Sequence, residues 1–166
     1  GEYLHQRANG IDESTVEPEH RRKSISQNHT FQRDTGELAV VEAKLLELSE
    51  GVATRLRQEN WIARTITLRL RYGDFRTVTR SRTLPQPTNL GDDLYNVGTR
   101  VLHQEWSGKP LVRLVGIGVS NLVAATPLQA SLFGSRDEKR QELARTLDRL
   151  RARFGDDAVR RGGTGR

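Results

Sequence analysis

The clearest pattern in the chain runs from Leu38 to Leu56. Leu38, Val41, Leu45, Leu48, Val52 and Leu56 recur at steps of three and four residues, which predicts a helix with one buried face. Asp34 and Glu37 precede it at the spacing of an N-cap and its capping-box partner. From Trp61 to Tyr72 the period becomes two. Ile66, Leu68 and Leu70 alternate with Thr65, Thr67, Arg69 and Arg71, so this is a strand with one buried face and one polar face. Gly73-Asp74 makes a short turn into a second strand, Phe75 to Leu84, and the two form a hairpin. The facing of that second strand is ambiguous, because Val78 shares parity with Arg80 and Arg82. Pro85 and Pro87 are expected to end it.

Lys23 to Gln32 reads as a strand with Ile25 and Phe31 turned inward, and Leu111 to Val119 as another. Between hairpin and last strand lies a helix from about Gly91 to Glu105, with Leu94, Val97 and Val101 on one side. The order β-α-β-β-α-β is a split βαβ arrangement of the α+β class. It predicts a four-stranded sheet with two helices on one face. The other face is left open, lined by the Thr and Arg of the strands. Beyond Leu122 no long period holds until a charged helix from Arg136 to Phe154, striped by Leu143, Leu147, Leu150 and Phe154. Glu142–Arg145 and Asp148–Arg151 stand at the spacing of helix-surface pairs. The first residues read as a helix end stopped at Gly10 and a polar linker, as if cut from a longer protein. The segments expected are therefore 1–22, 23–122, 123–135 and 136–166, the last ending in a basic, Gly-rich and disordered stretch from Arg160.

Charge changes this picture. The chain carries 27 Lys+Arg against 21 Asp+Glu, a net +6, which points to a polyanionic partner. Between Trp61 and Leu84 every cation is an arginine and the only acid is Asp74. Arginine forks match phosphate geometry. Catalytic signatures are missing: no nucleophile elbow, no phosphate loop, no Ser/His/Asp grouping. Gly116-Ile117-Gly118 falls in a strand and lacks the rest of a nucleotide fingerprint; these glycines admit a close neighbour, from the fold or from a ligand strand. Asp92 and Asp93 open a helix, where acids suit the macrodipole better than a metal. With no cysteine and four scattered histidines (His5, His20, His29, His103), no metal site is predicted. No apolar run reaches membrane-spanning length and no leader is visible, so the expectation is a cytoplasmic monomer without membrane contact. Aromatics are missing from the mid-strand positions where single-stranded RNA readers stack bases, which disfavours an RNA-recognition module of the same element order.

The hairpin from Arg71 to Leu84 resembles the little finger of the Y-family translesion DNA polymerases of the polymerase IV type. So do Lys23-Ser24-Ile25-Ser26 with Thr30-Phe31, and the run from Val112 to Leu122; Gly10-Ile11-Asp12 is similar to the end of that family's thumb. The resemblance implies a sheet that lies in the DNA major groove near a primer–template junction and holds phosphates without reading bases. The positions it carries over are Ser24, Ser26, Thr77, Thr79, Arg80, Ser81, Arg82 and Arg113. Gln129-Ala130-Ser131-Leu132-Phe133 resembles the bacterial sliding-clamp-binding pentapeptide, with Gln129, Ser131, Leu132 and Phe133 as the matching positions. Ala130 departs from the commoner leucine. The family's palm, which binds Mg²⁺ through carboxylates, is not represented, so the resemblance implies binding without catalysis and no cofactor in these residues. The expected parent is an error-prone DNA-directed polymerase; the alternative is a non-catalytic adaptor of the same family.

Overall fold

The computed structural model describes residues 24–125 and 135–155. The expected thumb end and linker, the pentapeptide with Gln129, Ser131, Leu132 and Phe133, and the basic stretch from Arg160 lie outside the described residues. The elements are β1 (Ser24–Thr35), α1 (Leu38–Gln58), β2 (Trp61–Tyr72), β3 (Thr77–Thr88), α2 (Gly91–Glu105), β4 (Val112–Ala124) and α3 (Ser135–Phe154). The strands form one antiparallel sheet in the order β1-β4-β2-β3.

The α1 stripe holds as read: Val41, Leu45, Leu48, Val52 and Leu56 are buried, and Leu38 alone stays exposed at the helix start. They pack on Ile66, Leu68 and Leu70 of β2 and on Val115, Ile117 and Val119 of β4, with Leu94, Val101 and Leu102 of α2 closing the layer. The core is aliphatic and continuous, with Trp106 and Tyr72 at its margins. Gly98 lets α2 settle close to the sheet and to α1: a Cβ there would meet Ile117 Cδ1 and Leu45 Cδ2, each at 3.3 Å. Among the described residues no helix is long and apolar enough to cross a membrane.

Four expectations change. Asp34 is not an N-cap, because β1 continues through it to Thr35 and the helix cap is Glu37 without a side-chain bond. Thr35 Oγ1 instead accepts from the Glu37 N–H at 3.1 Å. Pro85 and Pro87 do not end β3, which runs on to Thr88. β3 is a sheet edge, where a missing N–H costs no ladder bond, and the register slips between the pairs Thr65–Thr83 and Ala63–Thr88 to take up the prolines. β4 extends past Val119 to Ala124, because Trp61 and Ile62 give Ala124 and Val123 partners.

The fourth concerns α3. Asp148 and Arg151 are not a surface pair on one helix; each reaches α1. Arg57 donates from Nε (2.6 Å) and Nη2 (2.8 Å) to the two Asp148 oxygens, and Thr54 donates its hydroxyl to Oδ1 at 3.1 Å. Arg57 also donates to the Asn89 carbonyl at 2.7 Å, and its side chain is only 6% exposed. Arg151 lies 3.7 Å from Glu50, Arg140 pairs with Asp93 at 2.5 Å, and Gln141 donates to Asn89 Oδ1. The helix therefore docks on the outer side of the helix layer through polar groups. Its apolar stripe is turned partly aside, with Leu143, Leu150 and Phe154 exposed.

Candidate nucleic-acid interface

Side chains of directly paired residues share one face of a sheet, so the register writes out the open face as four rows. The first is Ser24, Ser120, Thr65, Thr83; the second Ser26, Gly118, Thr67, Ser81. The third is Asn28, Gly116, Arg69, Thr79; the fourth Thr30, Leu114, Arg71, Thr77. These rows contain two arginines, no acid and no aromatic. Leu114 is their only aliphatic of any size, and it is half-buried.

The hydroxyls are knitted across strands. Thr65 and Thr83 share a hydrogen bond of 3.0 Å, and Thr67 and Ser81 one of 2.9 Å. Asn121, at φ 53°, donates to Thr65 Oγ1 at 2.8 Å, and Arg71 Nε donates to Thr77 Oγ1 at 3.0 Å. Each hydroxyl pair keeps donor or acceptor capacity for a ligand, since a hydroxyl has one proton and two lone pairs. The glycines at the centre of β4 are explained by the fold itself. A Cβ on Gly116 would fall 1.9 Å from Asn28 Oδ1, so the Asn28 side chain lies across that strand; Gly118 takes the Ser26 Cβ at 3.1 Å. The close neighbour is thus a side chain of β1.

Among the carried-over positions, Ser24, Ser26, Thr77, Thr79 and Ser81 come together on the open face. Arg80 and Arg82 do not join them. They pair with Leu68 and Ile66, which puts them on the helix-covered side of the edge strand in line with Val78. There Arg80 donates to Glu105 at 2.9 Å and Arg82 to Gln104 at 3.2 Å, both on α2. Both remain exposed at the rim of the sheet. Arg113 sits at the sheet's end, donating to Asp34 at 3.0 Å and lying 4.5 Å over the Phe75 ring. Phe75 is exposed at φ 66° in the hairpin turn, and the Asp34 carboxylate lies 2.5 Å from where a Gly73 Cβ would stand. Arg113 is therefore built into the hairpin turn and is already neutralised by Asp34. The open face also holds Asn28, Thr30, Thr65, Thr67, Arg69, Arg71, Thr83 and Ser120, which are not among the carried-over positions, although the alternation of β2 had assigned Thr65, Thr67, Arg69 and Arg71 to the polar face. No group of three or more His, Asp or Glu side chains that could hold a metal occurs among the described residues.

A four-stranded antiparallel sheet, helices on one side and a polar face on the other, is the little-finger fold of the Y-family polymerases. A Y-family DNA polymerase chimera superposes over 74% of this chain and 35% of its own with a TM-score of 0.55 and 20% sequence identity. A little finger domain of PolIV, solved in complex with the β-clamp processivity factor, gives a TM-score of 0.49 at 25% identity over 58% of this chain and 86% of that one. The C-terminal domain profile of the impB/mucB/samB family matches residues 22–132. The chain belongs to that family and carries its C-terminal domain. DNA polymerase IV of Moorella thermoacetica is 40% identical over 163 residues, 97% of this chain and 40% of that protein; DNA polymerase IV of Brucella melitensis is 37% identical over 165 residues, 99% and 37%. The chain spans about two fifths of the length of the curated relatives it matches.

Proposed function

We propose that this chain is the DNA-gripping and clamp-binding C-terminal region of an error-prone Y-family DNA polymerase that acts in translesion synthesis and repair. The observation that carries the reading is the open sheet face: hydroxyls in cross-strand pairs, Arg69 and Arg71, and no carboxylate or aromatic among them. Hydroxyls and guanidinium forks suit phosphate oxygens, and such contacts position a protein on DNA without reading sequence. Lacking aromatics, the rows offer no platform for stacked bases. The duplex near a primer–template junction would be held by its backbone against Ser24, Ser26, Thr77, Thr79 and Ser81. Arg69 and Arg71 supply the charge. Arg80 and Arg82 reach the same backbone from the rim of β3, once Arg80 releases Glu105. Arg113 holds the hairpin turn in place.

Gln129 to Phe133 is the proposed sliding-clamp segment. Leu132 and Phe133 would fill an apolar pocket and Gln129 would bond at its rim, the anchor-and-rim logic of peptide recognition. The nucleotidyl transfer of such a polymerase uses Mg²⁺ held by palm carboxylates; the described residues offer no set of side chains for it. Their share of the work is to hold the DNA still.

The test is binding of primed duplex by the 166-residue chain across a salt series. Each phosphate neutralised contributes about 0.9 to the slope of log affinity against log salt. Arg69→Ala with Arg71→Ala is expected to lower affinity and to reduce the slope by about 1.8. Arg80→Ala with Arg82→Ala is expected to do less, because Arg80 gives up an ion pair to bind. If the Arg69/Arg71 variant binds like the wild type at low salt, or if one DNA sequence is strongly preferred, the reading fails.

A further inference from the structure

A second concentration of cations lies on α3, with the helix layer between it and the open sheet face. Docking sorts the charges of this helix. Asp148, the single acid from Leu143 to Phe154, turns inward onto Arg57, and Arg151 turns toward Glu50. Arg145, Arg149 and Arg153 recur every fourth residue and are exposed. None of the three forms an ion pair with a carboxylate among the described residues. Arg149 donates to Thr146 Oγ1 at 3.2 Å, and Arg153 lies 5.4 Å from the centre of the Phe154 ring. A helix surface built only for water would alternate signs at this spacing, since like charges four residues apart destabilise a helix. The macrodipole favours cations in the last turn, which accounts for Arg151 and Arg153 but not for Arg145 and Arg149.

Eight residues of helix rise by ~12 Å, so the three guanidinium groups form one continuous basic track along the helix. Guanidinium forks suit phosphate oxygens. At the end of the ridge the Phe154 ring is 64% exposed. An aromatic beside a basic track is the arrangement that stacks unpaired bases and tolerates any sequence; bases inside a duplex offer no free face to it. The geometry points to a binding site for single-stranded nucleic acid on α3, formed by Arg145, Arg149, Arg153 and Phe154. The choice of nucleic acid over another polyanion rests on the DNA-gripping reading of the chain, while the site itself is separate from the sheet face.

Fluorescence anisotropy with an oligo-dT and with a fully paired duplex tests the assignment, using the whole 166-residue chain. The triple variant Arg145→Gln, Arg149→Gln, Arg153→Gln leaves the Arg57–Asp148 contact intact, so α3 stays docked, and unchanged hydrogen exchange of the α3 amides verifies this. It is expected to weaken oligo-dT binding about tenfold or more and to lower its salt slope by about 2, at roughly 0.7 per phosphate for single strands. Phe154→Ala is expected to weaken oligo-dT binding about tenfold with duplex binding unchanged. Absence of oligo-dT binding by the wild type, or equal affinity and slope in the triple variant, overturns the site. So does equal loss of duplex and oligo-dT binding. Binding to phosphatidylglycerol vesicles that the triple variant loses while it keeps oligo-dT would assign the ridge to a lipid surface and also overturn it. If Arg69→Ala with Arg71→Ala leaves duplex binding intact while the α3 variants lose oligo-dT, the sheet-face reading falls and the α3 site stands.

Discussion

Replacing Asp148 by asparagine should release α3 from the helix layer. The carboxylate receives two bonds from Arg57 and one from Thr54, and the Arg57 side chain is almost fully enclosed. Removing one partner of a buried pair costs about 3–5 kcal/mol. Here the Asp148 side is partly open to water and Arg57 keeps the Asn89 carbonyl, so about 2–3 kcal/mol is the expected loss. The rest of the core does not depend on this contact, so the loss should appear as local opening of α3. Its amides should exchange with deuterium roughly 1.5 to 2 orders of magnitude faster than in the wild type, with β2 and β4 unchanged. Acid should act in the same way. Burial pushes the Asp148 carboxyl up, but the Arg57 bonds and charge, the Thr54 hydroxyl and Arg151 outweigh it and hold the carboxyl below its ordinary value. A depressed folded value means that this contribution is complete above the unfolded carboxylate range near pH 4, and is lost as pH falls through the folded value. Wild-type α3 should therefore open below about pH 4, and Asp148→Asn, which keeps only the Glu50 and Asp93 contacts, should show a weaker dependence. Unchanged exchange in the variant at neutral pH would refute the docking argument.

Gly98→Val should destabilise the fold by about 1–3 kcal/mol, because its branches meet Ile117 and Leu45 where a Cβ is already tight; thermal unfolding measures this. Leu132→Ala with Phe133→Ala should abolish binding to a bacterial sliding clamp while unfolding temperature and DNA affinity stay put. Retained clamp binding, or a large fall in stability, would remove Gln129 to Phe133 as the clamp site. The 166-residue chain should not extend a primer when Mg²⁺ is supplied, because no group of three or more His, Asp or Glu side chains that could hold a metal occurs among its described residues; measured nucleotide incorporation would overturn this.

Elements with a strong period were legible in the sequence. The α1 stripe and the alternation of β2 are consequences of one face meeting apolar neighbours and the other meeting water, and both hold apart from Leu38 at the helix start. β3 was not legible in this way. Val78 and Leu84 pack against the core, while Arg80 and Arg82 between them share that side by leaning over an edge, so their facing follows from the pairing with Leu68 and Ile66 and not from the pattern within β3. Edge position also decides why two prolines are tolerated, and a strand's place in the sheet is a tertiary fact. Asp34 carried the local signature of a cap, but Arg113, 79 residues away, claims its carboxylate. Asp148 matched a surface pair by spacing until Arg57 claimed it across 91 residues. In each case local spacing proposed one partner and long-range geometry chose another. The hydroxyl-rich open face was foreseen as a class of residues; its rows needed the register of all four strands.

The central claim is that the duplex lies on the open sheet face. Amide chemical-shift mapping of the ¹⁵N-labelled chain during titration with primed duplex tests it most directly. The largest shifts are expected at Ser26, Thr67, Arg69, Thr79 and Ser81, with Leu45, Val52, Leu94 and Val101 of the helix layer silent. Shifts confined to the helix layer, with the four open-face rows unmoved, would contradict it.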